Sequence, residues 1–297
     1  MREFTIFTHG RPEETTSALL EIATQAAAAG VTLRLDPEET SKHDLGDSPG
    51  LELDAEVKDD VELCVVLGGD GTVLRGLRMY RGTDVPVFAI NFGQVGFLAT
   101  VERGELAIGM RRALERDFEL LRLPAIRLDA ASEHAGASKQ APPPHIRADG
   151  RVAVNDVAIH RKVGERVADI AYEVDDEVVG SVRCDGLVIA TPAGSTGYNL
   201  ANGGPVMAWG VEGFVVSFIA PHSLTARALV AAPSDRLRIH NRSREPLDVA
   251  VDGRPAGEIA PSDAIDAHFV KDAGTIAQLP GSSFYRRLRE KFGRLSS

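Results

Sequence analysis

Leu63-Cys64-Val65-Val66-Leu67-Gly68-Gly69-Asp70-Gly71-Thr72 is the stretch on which the reading of this chain turns. An apolar run of five residues leads into a glycine turn, and Val73, Leu74 and Leu77 then recur at helical spacing. That order reads as strand, turn, helix. Glycines let a backbone approach a phosphate closely, and the start of the following helix offers unpaired N–H groups and a partial positive charge. The turn lacks the Lys of a Walker A loop and carries Asp70 instead. A carboxylate beside phosphate suits either a bridging cation or the proton of an attacking hydroxyl, both of which belong to phosphoryl transfer. An Asp-Gly turn after a buried strand is the plainer reading of the same residues.

Working outward, the flanking segments alternate strand and helix. Phe4 to Phe7 reads as a strand; Pro12, Glu13 and Glu14 open a helix with Leu19, Ile22, Ala26 and Ala29 on one face and Gly30 at its end. Val31, Leu33 and Leu35 alternate as a second strand, residues 36–58 read as a polar loop, and Val85 to Ile90 forms the strand after the glycine turn. Asn91 through Phe97 follows, and then a helix carrying Leu106, Met110, Ala113 and Leu114. This rhythm predicts an α/β domain with an open, mostly parallel sheet, with Asp70 and Asn91 at the carboxyl ends of strands, where such sheets bind ligands.

From about residue 124 short alternating segments take over, at 125–131, 152–160, 167–175, 178–183, 186–190, 214–219, 236–241, 247–252 and 264–270. They predict a second, β-rich, sandwich-like domain over residues 124–275, after an N-terminal domain over 1–123. Residues 130–150, with Pro142-Pro143-Pro144, read as a loop. Phe284, Leu288, Phe292 and Leu295 recur at helical spacing among basic residues, so the chain ends in a helix with one apolar face that is expected to return to the first domain, which residues from about 276 to 297 complete, its charges on a solvated face.

Composition narrows the function. The chain has 297 residues and a formal net charge of -10, with no concentrated basic footprint for nucleic acid and no apolar run of membrane-spanning length. Met1 to Phe7 contains an acidic residue and a strand-like pattern in place of the apolar core of a signal peptide, and the two cysteines, Cys64 and Cys184, have neither metal nor disulfide spacing. A cytoplasmic protein is expected. His9, His160 and His222 fall near strand ends without metal spacing and read as structural.

A second constellation runs from Cys184-Asp185-Gly186 through Thr191-Pro192-Ala193-Gly194-Ser195-Thr196-Gly197-Tyr198-Asn199 to Gly203-Gly204-Pro205. A strand enters a loop of small residues and hydroxyls; Ser195 and Thr196 offer hydrogen bonds, and the ring of Tyr198 suits a nucleobase face. A strand-to-helix turn with Tyr198 at its rim fits these residues equally.

Taken in order, the glycine turn, Asn91 through Leu98, Asn155-Asp156, Asp185 through Tyr198 and Gly203-Gly204-Pro205 resemble the NAD kinase family, with Ala220-Pro221-His222-Ser223-Leu224 and Asp252-Gly253 as further likenesses. The resemblance implies ATP-dependent phosphorylation of the 2'-hydroxyl of the adenosine ribose of NAD, with magnesium bridging the ATP phosphates. It implies Asp70 as the base, Gly68, Gly69, Gly71 and Thr72 around the phosphates, and Asn155 and Asp156 on the NAD ribose and adenine. Phe97 and Tyr198 become walls of the adenine site, with Thr196 and Gly197 in its loop, and Asp185 reaches the nicotinamide part of a neighbouring subunit's ligand, which implies a homodimer or homotetramer. Arg75, one turn into the helix, either faces the phosphates or is solvated. The chain departs from the family where Asp156 replaces Glu, and at Ala193, Gly197 and Ala201. A lipid or sugar kinase sharing the glycine loop and a dinucleotide sensor without transfer are the competing readings.

Overall fold

Fully buried apolar runs become central strands, and the computed structural model places Leu63–Gly68 and Val87–Asn91 side by side as β4 and β5. It describes residues 2–46, 48–93, 96–131, 146–147 and 150–293; Gln94, Val95, Leu295 and most of the expected 130–150 loop lie outside them. Ahead of these strands come β1 (Arg2–Thr8), α1 (Pro12–Ala28), β2 (Val31–Arg34), α2 (Pro37–His43) and β3 (Leu51–Glu52). Between and after them lie α3 (Asp70–Met79), β6 (Val101–Glu102) and α4 (Leu106–Leu114). All neighbours in the order β5-β4-β1-β2-β3 run parallel, as strand–helix–strand connections require.

The chain divides into two compact units, one of residues up to Leu123 together with those from Ala273 onward, the other Pro124–Asp272. In the first, the core is built by Phe4, Ile6, Leu19, Ile22, Leu67, Phe88 and Met110. Residues 36–58, read as loop, contain α2: the Asp36 side chain caps it by accepting the Glu39 N–H at 2.8 Å, and Pro37 occupies its first turn. That helix escapes periodicity because the residues it buries are Glu39 and His43 rather than an apolar stripe.

The second unit is antiparallel. After β7 (Glu119–Ala130) and β8 (Val152–Ala153) come β9 (Asp156–Arg161), β10 (Ala168–Val174), β11 (Glu177–Cys184), β12 (Gly186–Ala190), α5 (Tyr198–Ala201), β13 (Phe214–Ile219), β14 (Leu229–Ala231), β15 (Arg236–Asn241), β16 (Leu247–Val251), β17 (Arg254–Ile259) and β18 (Ala264–Gln278). One sheet has the order β14-β13-β12-β9-β16-β17; β11, β10, β15 and the first half of β18 form a second layer. Both contribute to one core that includes Ile159, Ile170, Leu187, Val216, Leu237 and Val249. An α/β unit and a β-rich, two-layered unit are thus the fold class that alternation predicted. The last helix, α6 (Phe284–Phe292), belongs to the first unit.

Candidate active site

In the first unit Gly68 ends β4 and pairs with Asn91 at the end of β5, so both landmarks stand at the carboxyl edge of the parallel sheet. The turn is tight for a stated reason: a Cβ on Gly68 would stand 2.4 Å from the Thr72 hydroxyl, and one on Gly93 would stand 2.9 Å from the Gly69 Cα. Gly71 differs, with nothing within 4 Å of where its Cβ would be. Asp70 is the first residue of α3, and its carboxylate accepts the N–H of Phe97 and of Leu98, each at 3.0 Å. Burial raises its pKa; those two amides and the cations of Arg287 and Lys291 oppose the rise. A carboxylate that is oriented and more basic than usual is suited to taking a proton.

Several expected residues sit in unexpected company. Arg75 reaches Glu39 and Glu38, at 2.8 and 2.9 Å, and Asp36 at 3.4 Å, and its guanidinium lies over the Phe7 ring. Phe97 is 4% exposed, its ring packed on Phe284 and Phe292 of α6 at 6.3 and 5.3 Å between centroids. The expectation that the basic residues of α6 are solvated fails at Arg287, which is buried and donates to the backbone carbonyls of Phe97 and Ala99. Carbonyls exposed by the irregular segment 97–99 draw it inward.

In the second unit Asn155-Asp156, the loop after β12 and Asp252 come together. Thr191 fastens the loop to the bend between β8 and β9, its N–H on the Asn155 carbonyl at 2.9 Å and its hydroxyl on that of Val154 at 2.6 Å. Gly194 crosses so close that a Cβ would stand 2.0 Å from the Asn155 oxygen. Asn155 Oδ1 is shielded from solvent and accepts no hydrogen bond from the described residues, an arrangement that costs free energy until a donor arrives. Burial, reinforced by the charge of Asp252, raises the Asp156 carboxyl to about 7.

Gly197 and Tyr198 are exposed at the rim, and the Tyr198 ring stacks on His160 at 5.7 Å and 22°. His160, expected to be structural, thus underlies a site residue, and burial lowers its pKa. Thr196 turns its hydroxyl to the Ala193 carbonyl at 3.2 Å. Ser195 was expected to offer hydrogen bonds to a ligand; it is fully buried, with its hydroxyl donated to the Pro192 carbonyl at 2.7 Å and accepting the Met207 N–H at 2.9 Å. Asp185, at the other end of β12, is held by Arg161 at 2.6 Å, which keeps its pKa low.

The model of the ATP-NAD kinase N-terminal domain matches residues 14–118, and that of the ATP-NAD kinase C-terminal domain matches residues 154–271. An NAD kinase of Gemmatimonas aurantiaca is 33% identical over 234 residues, covering 78% of this chain and 78% of its own. This chain belongs to the NAD kinase family. An NAD kinase of Cutibacterium acnes is 29% identical over 295 residues, 98% of this kinase and 89% of the relative. Among solved structures, yeast NADH kinase complexed with NADH shares the fold with a TM-score of 0.84 at 24% identity, covering all of this chain and 89% of that one. An NAD kinase from Archaeoglobus fulgidus in complex with ATP gives 0.68 at 24% identity, over all of this chain and 99% of its own.

Proposed function

We infer that this kinase transfers the γ-phosphoryl group of ATP to the 2'-hydroxyl of the adenosine ribose of NAD, giving NADP and ADP. The observation that carries the reading is the Asp70 carboxylate, aimed by two backbone amides at the head of the helix that follows the glycine turn. As the ribose oxygen attacks the γ-phosphorus, its proton passes to Asp70, a new P–O bond forms, and the bond from phosphorus to the bridging oxygen of ADP breaks. Gly68, Gly69, Gly71 and Thr72 form the turn that cradles the phosphates, closed on itself by the Thr72 N–H donating to the Gly69 carbonyl at 2.9 Å. Arg75 already shares its charge among three carboxylates. The phosphate contacts are therefore assigned to the turn itself.

Magnesium enters as part of the ATP substrate. Among the described residues no group of three or more His, Cys, Asp or Glu could form a protein-built cage. A cation held mainly by phosphates needs no such cage. Asn155, Asp156, Thr196, Gly197 and Tyr198 hold NAD, with the unpartnered Asn155 Oδ1 open to a donor of the ligand. Phe97 contributes by holding the segment that aims Asp70. Asp185 reaches toward a neighbouring subunit's ligand in a homodimer or homotetramer. The two unpaired, buried thiols of Cys64 and Cys184 suit a reducing cytoplasm; no helix among the described residues is long and apolar enough to cross a membrane. Both family models are those of NAD kinases, which favours NAD over a lipid or sugar acceptor.

The test is direct: purified protein, ATP, magnesium and NAD are mixed and NADP is measured. Asp70→Asn preserves shape and removes the proton acceptor, and is expected to lower kcat by about 10²- to 10⁴-fold. NADP formation by Asp70→Asn at near the parent rate refutes the base; no NADP from the parent refutes the activity.

A further inference from the structure

The segment Phe97–Ala99 is gripped from both sides. Its amides at Phe97 and Leu98 go to the two oxygens of Asp70, and its carbonyls at Phe97 and Ala99 go to Arg287, the first at 2.7 Å. The Phe97 carbonyl and the Leu98 N–H belong to one peptide group. Carboxylate, peptide and guanidinium therefore form a single line in which each hydrogen bond polarises the next. We propose that Arg287 is a positioning residue for phosphoryl transfer: acting through the Phe97–Leu98 peptide, it fixes the direction of the Asp70 carboxylate and keeps it in the charged, proton-accepting form.

Three further observations support the assignment. Arg287 is only 8% exposed, and a buried guanidinium is costly unless an anion compensates it. Burial lowers its pKa to about 10, and the charges of Asp70, Glu102 and Glu290 act against that fall. Phe284 and Phe292, on either side of Arg287 along α6, pack on the Phe97 ring, so the helix is fixed to the same segment by apolar contact. Lys291 reaches Glu102 at 3.0 Å; Glu102 accepts from Asn91 at 2.9 Å, and Asn91 Oδ1 accepts the Gly93 N–H at 3.0 Å. Helix α6 thus also ties down the loop that faces Gly69. A helix serving only the fold would need the aromatic contacts but not a buried cation.

The proposal rests on Asp70 being the base, and its test separates the two. Arg287→Met and Arg287→Lys are compared with the parent and with Asp70→Asn for kcat, for KM of NAD and of ATP, and for the pH dependence of kcat. The cations facing Asp70 are Arg287 and Lys291 of α6, and Arg287 in turn faces Glu102 and Glu290. Loss of the Arg287 charge and slackening of the two amides both favour the protonated carboxyl, so the acid limb of the profile moves to higher pH in Arg287→Met. Its kcat is expected to fall about 10- to 100-fold with both KM values within about twofold. Arg287→Lys keeps the charge but not the fork; it is expected to leave the limb in place and lose about 3- to 10-fold in kcat. Arg287→Met with parental kcat, or with an unmoved limb and raised KM values, overturns the proposal while leaving Asp70 as the base. An active Asp70→Asn removes the base itself. Where Arg287→Met fails to fold, Arg287→Lys decides, and a kcat within about 1.5-fold of the parent overturns the proposal.

Discussion

Asp252 Oδ1 accepts the backbone N–H of Asn155 at 2.7 Å, and its second oxygen accepts that of Val154 at 3.1 Å. The carboxylate sits in the Asp252-Gly253 turn between β16 and β17, where both residues have positive φ, 47° and 72°. A turn of this kind suits Asp or Asn followed by Gly. Asp252→Asn therefore keeps the turn but offers one acceptor oxygen and an amide in place of two acceptors. Hydrogen bonds to a charged group are worth about 1.5 to 3 kcal/mol, so the KM for NAD is expected to rise roughly tenfold. The KM for ATP stays put. Steady-state kinetics on the purified variant check this, and an unchanged NAD KM would show that the Asn155-Asp156 backbone holds its place without the carboxylate.

The carboxyl of Asp156 beside it sets a pH dependence. Folded, Asp156 has its pKa raised to about 7, by burial first and by Asp252 second; unfolded, it titrates near about 3.9. Between roughly pH 4 and 7 the folded chain holds a proton that the unfolded chain has released, so this group makes stability fall as pH rises through that window. The difference is on the order of 4 kcal/mol at its fullest. Asp156→Asn removes the effect. Urea midpoints at pH 5 and pH 8 should therefore drop more for the parent than for the variant, and a variant that loses more than the parent on going to pH 8 contradicts the assignment.

What was legible in the sequence was what burial writes into it. Fully buried parallel strands give apolar runs, so β4 and β5 were readable, and the glycine turn marked where the sheet's ligand edge lies. Polar burial is not periodic, so periodicity leaves α2 looking like loop although Asp36-Pro37-Glu38-Glu39 carries a cap, a first-turn proline and two first-turn acids. Strand β17 shows no apolar alternation although Asp252-Gly253 is a hairpin signal, because its apolar residues are few. Arg287 was hidden for a related reason: helical periodicity locates the apolar stripe of α6 and assigns every cation to water.

Two glycines of one turn separate the demands of fold and ligand. Gly71 has open space at its Cβ position and lies in the first turn of α3, so Gly71→Ala costs no contact and favours the helix by about 0.5 kcal/mol. Its melting temperature should equal or exceed the parent's. On the proposed phosphate contact the added methyl stands in the path of the phosphates, so the KM for ATP is nonetheless expected to rise about tenfold or more. Gly68→Ala should instead lower the melting temperature, since its Cβ meets the Thr72 hydroxyl. A Gly71→Ala protein with parental ATP kinetics would move the phosphates away from this turn.

The ring of Tyr198 is 37% exposed and backed by His160. Burial holds the His160 pKa below its ordinary value, against the pull of Asp248, so the backing ring is neutral at pH 7 and Tyr198 presents a supported, uncharged face. A stacked aromatic pair is worth about 0.5 to 1.5 kcal/mol beyond its buried area, which converts to about 2- to 10-fold in affinity. Tyr198→Ala should raise the NAD KM by that factor with kcat within about twofold of the parent. On the proposed stacking the face and not the hydroxyl meets the base, so Tyr198→Phe should stay near the parent. His160→Ala removes the support and should move the NAD KM in the same direction by less. Equal damage from Tyr198→Phe and Tyr198→Ala would assign the contact to the phenol oxygen and remove the stacking role.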